Sequence, residues 1–487
     1  MSVIARQSIK YSIVGYFSTL VGIFSTVFLY PYNLDFSGKL QFVYQTALLI
    51  LPVIALGIMH ANVRFFPEMS EKNTEQDLFK FSVVFILSNF LLGLILLGLA
   101  SLLFPRIKIM NFWAYTSYIL SVALLLSLIQ LTSKYISIKK RIVVPNIFEN
   151  LFPKLGMITG FILLFWNQLQ EEQALWIFVA FFGMAFLGML FYLNRLEKLT
   201  KKVDFTFLKQ NKFGKDLFIY SFYTFLGSMG SVIALNIDTY MIGEMLSFQE
   251  VSIYNTSLNL VRMITVPALG VYSISAPIIA QYISENKMQD LKNLHHKTSL
   301  YLFVIGVLLF GLVTVGIEDL FTLMKNGDKL AKGLPVLYIM GFALLFDLAT
   351  GFNGYIITNS KYYKFNNTTT VALALLTILT NLIFLFWFKL GIIGVSIATA
   401  ISLTTYNLIK IYFNYKKFGI HPFSWKFLHL SLVLIFVIII GQLLPNTSYK
   451  LINLCYKPFV ALSIFCIMNW IFKIVPIKDI LPKSLMR

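Results

Sequence analysis

The chain has 487 residues, 58% of them hydrophobic and 13% charged, with a mean hydropathy of +0.77; soluble domains run nearer half apolar and a quarter charged. This balance predicts an all-α polytopic membrane protein and excludes a large soluble catalytic domain, since each span consumes roughly 20 mostly apolar residues. The net charge of +19 and pI near 9.6 would suggest a nucleic-acid partner in a soluble protein, but here the basic residues sort by loop as topology requires, and no nucleic acid is expected.

In chain order, Arg6 and Lys10 precede an apolar stretch without a small-residue cleavage site, which predicts a retained first helix. Apolar windows then predict fourteen spans, at 11–29, 41–61, 81–104, 113–132, 142–166, 174–193, 217–242, 251–281, 298–316, 333–357, 369–388, 392–412, 427–444 and 456–474. The expected organisation is an N-lobe of six spans at 1–193, a basic cytoplasmic linker at 194–216, a C-lobe of six spans at 217–412, and a final helix pair with a cytoplasmic tail at 413–487. With the amino terminus inside, and cations near a span end (Lys410, Lys457, Lys473) counted with the adjoining segment, 29 of the 40 Lys and Arg fall on the cytoplasmic side, 9 on the outer side, and Lys154 and Arg262 deep inside spans. That asymmetry predicts both termini in the cytoplasm. Cys455 and Cys466, in the last apolar segment, read as packing residues, and no metal-ligand set is expected.

Spans two and eight share a pattern. Tyr44-Gln45-Thr46 with Leu48 recurs as Tyr254-Asn255-Thr256 with Leu258, and Ala55-Leu56-Gly57-Ile58 recurs as Ala268-Leu269-Gly270-Val271. With the basic mid-chain loop, this order suggests a duplicated six-helix unit and a two-lobed transporter.

Three stretches carry a family resemblance: Asp238-Thr239-Tyr240-Met241-Ile242-Gly243 with Glu250, Tyr254 and Pro267; Leu390, Gly391, Gly394 and Thr399 in span twelve; and Tyr135 to Pro145 entering span five. The chain resembles the polysaccharide-exporter branch of the multidrug/oligosaccharidyl-lipid/polysaccharide exporter (MOP) superfamily, the Wzx-type flippases. The resemblance implies alternating access by two lobes in the bacterial inner membrane. The implied substrate is an undecaprenyl-diphosphate-linked oligosaccharide destined for surface polysaccharide such as O-antigen or capsule. Membrane lipid, a polysaccharide polymerase and a chain-length protein are the implied partners.

A charge at mid-bilayer costs roughly 2.5–3.5 kcal/mol on insertion scales, so each one calls for a function or a partner. Lys154 and Arg262 lie about 18 Å and 16 Å into spans five and eight at 1.5 Å per residue, where an ammonium or a guanidinium fork could hold a diphosphate. Either could equally pair with an acid. Of the acids, Asp347 lies roughly 21 Å into span ten and is the candidate for an H+ or Na+ coupling site, with Asp238 and Glu149 as further coupling or gate candidates; an ion pair is the alternative for each. Glu149 and Lys154 are five residues apart and diverge on an ideal helix. Arg64 could meet an entering phosphate or serve as an ordinary inside anchor. Tyr44, Gln45, Tyr254 and Asn255 could bind sugar hydroxyls. His295 and His296 read as solvated loop residues. Pro52, Pro153 and Pro267 mark expected bends.

No G-x-x-x-x-G-K-[ST] run occurs, so no ATP site, catalytic residue or cofactor is expected. Two other readings stay open. A multidrug or cation exporter of the same fold is disfavoured by the absence of an acid between Ser8 and Tyr30 in span one. A membrane-embedded glycosyltransferase or polymerase is disfavoured by short outer loops.

Overall fold

The computed structural model describes residues 3–72, 74–166, 168–200, 204–209 and 212–472. The expected cytoplasmic tail from 473 onward and parts of the basic linker lie outside the described residues. These residues are almost entirely helical and contain no strand. The sequence dictates that outcome, because a backbone in hydrocarbon must satisfy its own hydrogen bonds and an open sheet cannot. The chain packs as two compact units. Unit 1 is Met1–Ser252 with Thr370–Leu375, and unit 2 is Ile253–Thr369 with Leu376–Arg487. The division falls after Ser252, not in the 194–216 linker where the sequence reading expects the lobes to meet.

Unit 1 opens with α1 (Val3–Phe24), which runs on through a π-helical turn at Ser25–Leu29 and a 3-10 turn at Tyr30–Tyr32. Next comes α2 (Leu34–Ala55), whose cap residue Asn33 accepts the Phe36 N–H at 3.0 Å. The chain then breaks at Leu56 and Gly57 before α3 (Ile58–Glu71). Gly57 has φ +76, and a Cβ there would lie 2.1 Å from the Ser221 carbonyl oxygen, so only glycine fits. After α4 (Glu75–Leu103), α5 (Asn111–Ala114), α6 (Thr116–Ile138) and α7 (Val143–Asn146), a second π-helical turn at Ile147–Leu151 leads into α8 (Phe152–Phe165). The unit continues with α9 (Glu171–Leu196) and α10 (Phe213–Met245). Its core lies where α2 packs against α6 and α10, with Phe36, Phe42, Tyr135, Phe178 and Phe182 fully buried.

Helix α11 (Phe248–Arg262) passes from unit 1 into unit 2. A 3-10 turn at Met263–Thr265 links it to α12 (Val266–Ser284). The 36-residue α13 (Met288–Leu323) is the hub of unit 2, touching α12, α15, α19 and α20. The other elements are α14 (Gly327–Leu330), α15 (Leu334–Ala349), α16 (Asn353–Thr358), α17 (Tyr363–Leu382), α18 (Gly391–Phe418), α19 (Trp425–Leu443) and α20 (Lys450–Ile471).

Among the described residues, 13 helical segments are long and apolar enough to cross a membrane, and the number reaches 14 when the bent pair Phe248–Tyr272 with Ile274–Ser284 is counted as one span. The chain is a multi-pass membrane protein. The prolines expected to mark bends lie near changes in the helices, while the 48° bend falls between Tyr272 and Ile274, beyond Pro267. Pro52 precedes the Leu56–Gly57 break, and its carbonyl accepts the Leu56 N–H at 2.8 Å. Pro153 and Pro267 start α8 and α12, where a missing N–H costs nothing.

Four details depart from the sequence reading. Lys410 and Lys457, counted above with the loops, are inside α18 and α20 and only 5% and 9% exposed. His295 is not in a solvated loop, because α13 starts at Met288, well before the apolar stretch, and turns His295 inward to 0% exposure. Cys455 and Cys466 are free and exposed on α20 rather than packed.

Candidate functional site

Each unit has its own buried polar cluster. In unit 1 it forms where α1 meets the π turn and α8. The α1 chain is fastened at three points: Asn146 Nδ2 donates to the Tyr11 carbonyl at 3.0 Å, Ser18 Oγ to the Asn150 carbonyl at 2.9 Å, and Lys154 Nζ to the Ser18 carbonyl at 2.6 Å. Lys154 comes this close because Gly22 faces it; a Cβ on Gly22 would stand 3.2 Å from Nζ. Among the described residues, Lys154 makes no ion pair. A half-buried ammonium satisfied by a neutral carbonyl keeps both its charge and its remaining donors for another acceptor.

Glu149 lies in the π turn, half-buried, and meets Ser133 and the charge of Lys134 on α6. Glu149 and Lys154 therefore serve different neighbours, α6 and α1, and do not pair. Tyr44 is held by the rings of Phe178 and Phe182 at 6.4 and 6.1 Å. Beside it on α2, Gln45 Oε1 and both polar atoms of Gln41 are buried without a hydrogen-bond partner. Gln41 was not singled out in the sequence, although it lies one turn before Gln45 and so on the same helix face. Asp238 is buried in α10, while Arg64 is exposed on α3. An apolar cavity of about 450 Å³ lies between α2, α4 and α10, lined by Thr46, Ile50, Asn89, Gly93, Ile233 and Tyr240 among others. None of the predicted site residues lines it.

In unit 2, Asp347 near the end of α15 accepts a hydrogen bond from Asn407 Nδ2 of α18 at 2.9 Å. Lys410, one turn along α18, is within electrostatic reach of that carboxylate. Its ammonium donates to the Tyr406 hydroxyl and sits 3.9 Å over the same ring. Sequence reasoning missed Asn407 and Lys410; the usable signal was their i, i+3 spacing on a helix whose other residues are mostly apolar. Tyr254 and Asn255 are buried in α11. Arg262 ends that helix, half-buried, immediately before the 3-10 turn that packs on α13 and α15.

A second charged group in unit 2 joins α13 to α20. Lys457 Nζ lies 2.7 Å from Asp319 Oδ2, Asn453 Nδ2 donates to Asp319 Oδ1 at 3.3 Å, and Lys457 also reaches Asn446 Oδ1 at 2.7 Å. With its hydrogen-bond capacity spent, this network fastens the last helix pair and leaves no group for a ligand.

The family model for polysaccharide biosynthesis proteins matches residues 12–282, and the MatE model matches residues 224–383. A sequence search of curated proteins finds no match. Among solved structures, the lipid II flippase MurJ in an inward closed conformation aligns with a TM-score of 0.71 at 16% identity, covering 98% of this chain and 100% of that one. An inward-facing multidrug resistance MATE family transporter of the MOP superfamily aligns with a TM-score of 0.54 at 13% identity, covering 82% and 94%. A MOP superfamily transporter from Pyrococcus furiosus, described as having a binding pocket of reversed polarity, aligns with a TM-score of 0.52 at 14% identity, covering 86% and 95%. At these identities the structures establish a shared fold.

Proposed function

Because the chain belongs to the polysaccharide biosynthesis protein family of the MOP superfamily, we propose that it is a flippase for an undecaprenyl-diphosphate-linked oligosaccharide. In this reading it carries the lipid from the cytoplasmic to the outer leaflet of a bacterial inner membrane by alternating access. Lys154 is the observation that carries the reading. A half-buried cation inside a spanning helix, satisfied by a backbone carbonyl and making no ion pair among the described residues, suits a diphosphate, which offers several charged acceptors. Arg262 is the proposed second ligand of the diphosphate, and Arg64 a first contact for the entering phosphate. Tyr44, Gln45, Tyr254 and Asn255 are the proposed sugar contacts. The unspent amide of Gln41 and the unspent Oε1 of Gln45 support that role on the α2 side, since buried polar groups normally find partners.

Asp347, with Asp238 and Glu149 in lesser roles, is the proposed coupling site for H+ or Na+. We further propose that spans one to six and seven to twelve are duplicated halves, that both termini are cytoplasmic, and that a polymerase and a chain-length protein receive the exported lipid. This is transport, with no catalytic step in the chain.

The MatE match over residues 224–383 favours drug or cation export as the second reading, and one experiment separates the two. Proteoliposomes containing the purified protein are given either a fluorescent polyprenyl-diphosphate oligosaccharide or a fluorescent lipophilic cation. Leaflet exchange of the first without uptake of the second is expected. Cation transport without lipid exchange would replace this proposal with the second reading.

A further inference from the structure

The polar cluster of unit 2 holds more charge than a lone coupling carboxylate requires, and the surplus bears on which ion it takes. Resting on the proposed coupling role of Asp347, we propose that Asp347 and Lys410 together form a proton site, in which a fixed ammonium excludes metal cations from the carboxylate.

The carboxylate is faced from α18 by N–H donors. Asn407 turns its NH2 toward Asp347 at 2.9 Å, and the Lys410 ammonium stands close by without forming an ion pair with it. A hard metal cation needs several oxygen ligands, and at this site it would meet an amide nitrogen and a like charge. A proton needs only one carboxylate oxygen. Other titratable or charged groups on the elements packed around this region are Tyr272 on α12, within electrostatic reach of Asp347, Tyr355 on α16, Tyr406 on α18 and His295 on α13, with Arg262 at the end of α11 before the 3-10 turn packed on α15. At the far end of α13, Asp319 is occupied by Lys457 and Glu318 acts on Tyr338. None of these is a carboxylate free to share a metal ion with Asp347.

A polar path also leads to the site. Asn407, Lys410 and Asn414 recur at i, i+3 and i+7 on one face of α18, at 3%, 5% and 0% exposure. Asn414 Nδ2 donates to the Asn353 carbonyl at 3.2 Å and to Asn353 Oδ1 at 2.9 Å. Across the break between α15 and α16, both ring nitrogens of His295 and the Ser299 hydroxyl are buried without partners. They close around Gly351, which has φ +60 and whose Cβ would lie 2.2 Å from Ser299 Oγ. Irregular backbone inside a membrane is tolerated where protein or a water-filled path satisfies it, and unspent buried polar groups are where bridging water binds. The ladder therefore connects Asp347 with the end of unit 2 that carries Lys361, Lys364, Lys416 and Lys417.

The step is simple. Hydronium gives one proton to a carboxylate oxygen, forming an O–H bond and releasing water. The ionised carboxylate attracts Lys410 across α15 and α18, whereas the neutral acid leaves Lys410 without that countercharge, so the charge balance between the two helices changes with the proton.

The test uses the full-length protein in lipid nanodiscs, with no transport substrate, and follows its thermal unfolding midpoint against pH in sodium or choline chloride. Stability is expected to show a pH step and no dependence on sodium. Asp347→Asn should abolish the step and His295→Gln should preserve it. Lys410→Met removes the opposing charge and should tighten proton binding about tenfold, while Lys410→Arg should leave the step in place. Should Lys410→Met not fold, the sodium comparison and the Asp347→Asn, His295→Gln and Lys410→Arg variants still decide. The proposal is overturned by a sodium-dependent rise that Asp347→Asn removes, by a pH step that survives Asp347→Asn, or by a Lys410→Met step that does not move. Because no oligosaccharide is present, a failed flippase reading would leave this result standing, and the reverse also holds.

Discussion

Replacing Lys154 by Met isolates its charge, since the two side chains are close in length and Met retains the apolar stem. Two opposing effects on stability follow from the structure. The 2.6 Å bond to the Ser18 carbonyl is charge-assisted and worth about 1.5–3 kcal/mol, but keeping an ammonium inside the bilayer costs roughly 2.5–3.5 kcal/mol. These nearly cancel, so protein abundance should stay within about twofold of the parent. Binding has no such cancellation. Loss of one charge-assisted contact to a diphosphate should weaken affinity by about 1.5–3 kcal/mol, or roughly 10- to 150-fold. Lys154→Arg should recover only part of the activity, because the fork must enter a space where Gly22 already leaves little room. Gly22→Ala places a methyl 3.2 Å from Nζ and should reduce flipping with little loss of protein. The assay pairs immunoblot abundance with the leaflet distribution of the lipid-linked oligosaccharide in cells. If Lys154→Met is as abundant as the parent and exports at the parental rate, the cation does not bind substrate.

At Arg262 the expected order of export activity is Arg, then Lys, then Ala, with the lipid-linked sugar accumulating on the cytoplasmic leaflet; full activity of Arg262→Ala at normal abundance would remove it from the site. In the pair joining α13 to α20, Lys457→Met alone strands the Asp319 carboxylate and should cost about 3–5 kcal/mol, toward the lower end because Lys450 stands 3.9 Å away. The double change Lys457→Met with Asp319→Leu should recover most of that in a thermal unfolding measurement, and an equal loss in single and double variants would refute the pairing argument. Reporter fusions within 195–215 should read cytoplasm and those within 326–332 the opposite side; the same side for both would break the expected topology.

The spans were legible because hydrocarbon imposes a rule that composition alone can express, and the bends because proline states its requirement locally. Pro153 and Pro267 open α8 and α12 and Pro52 precedes the Leu56–Gly57 break by one turn, although the 48° bend falls after Tyr272. Partnership was not legible. Lys410 and Lys457 resemble loop lysines in sequence, since each lies close to a span end, where positive charge is common for reasons of topology. Only packing shows that both turn inward, one toward Asp347 and the other onto Asp319. The same limit applied to His295. Counting apolar residues sets where a span begins in lipid, but α13 begins ten residues earlier than the window at 298, and helical periodicity carries its inward face through those residues. Lys154 differs because no span end lies near it, so the insertion cost alone marked it out. Its contact with a backbone carbonyl instead of an acid could not be read from spacing, because it depends on Gly22 and Ser18 of another helix. That difference matters for function. A cation neutralised by an acid, as Lys457 is, has spent its charge on the fold, whereas one resting on a carbonyl retains its charge for a ligand, which is why export should depend on Lys154 and stability on Lys457.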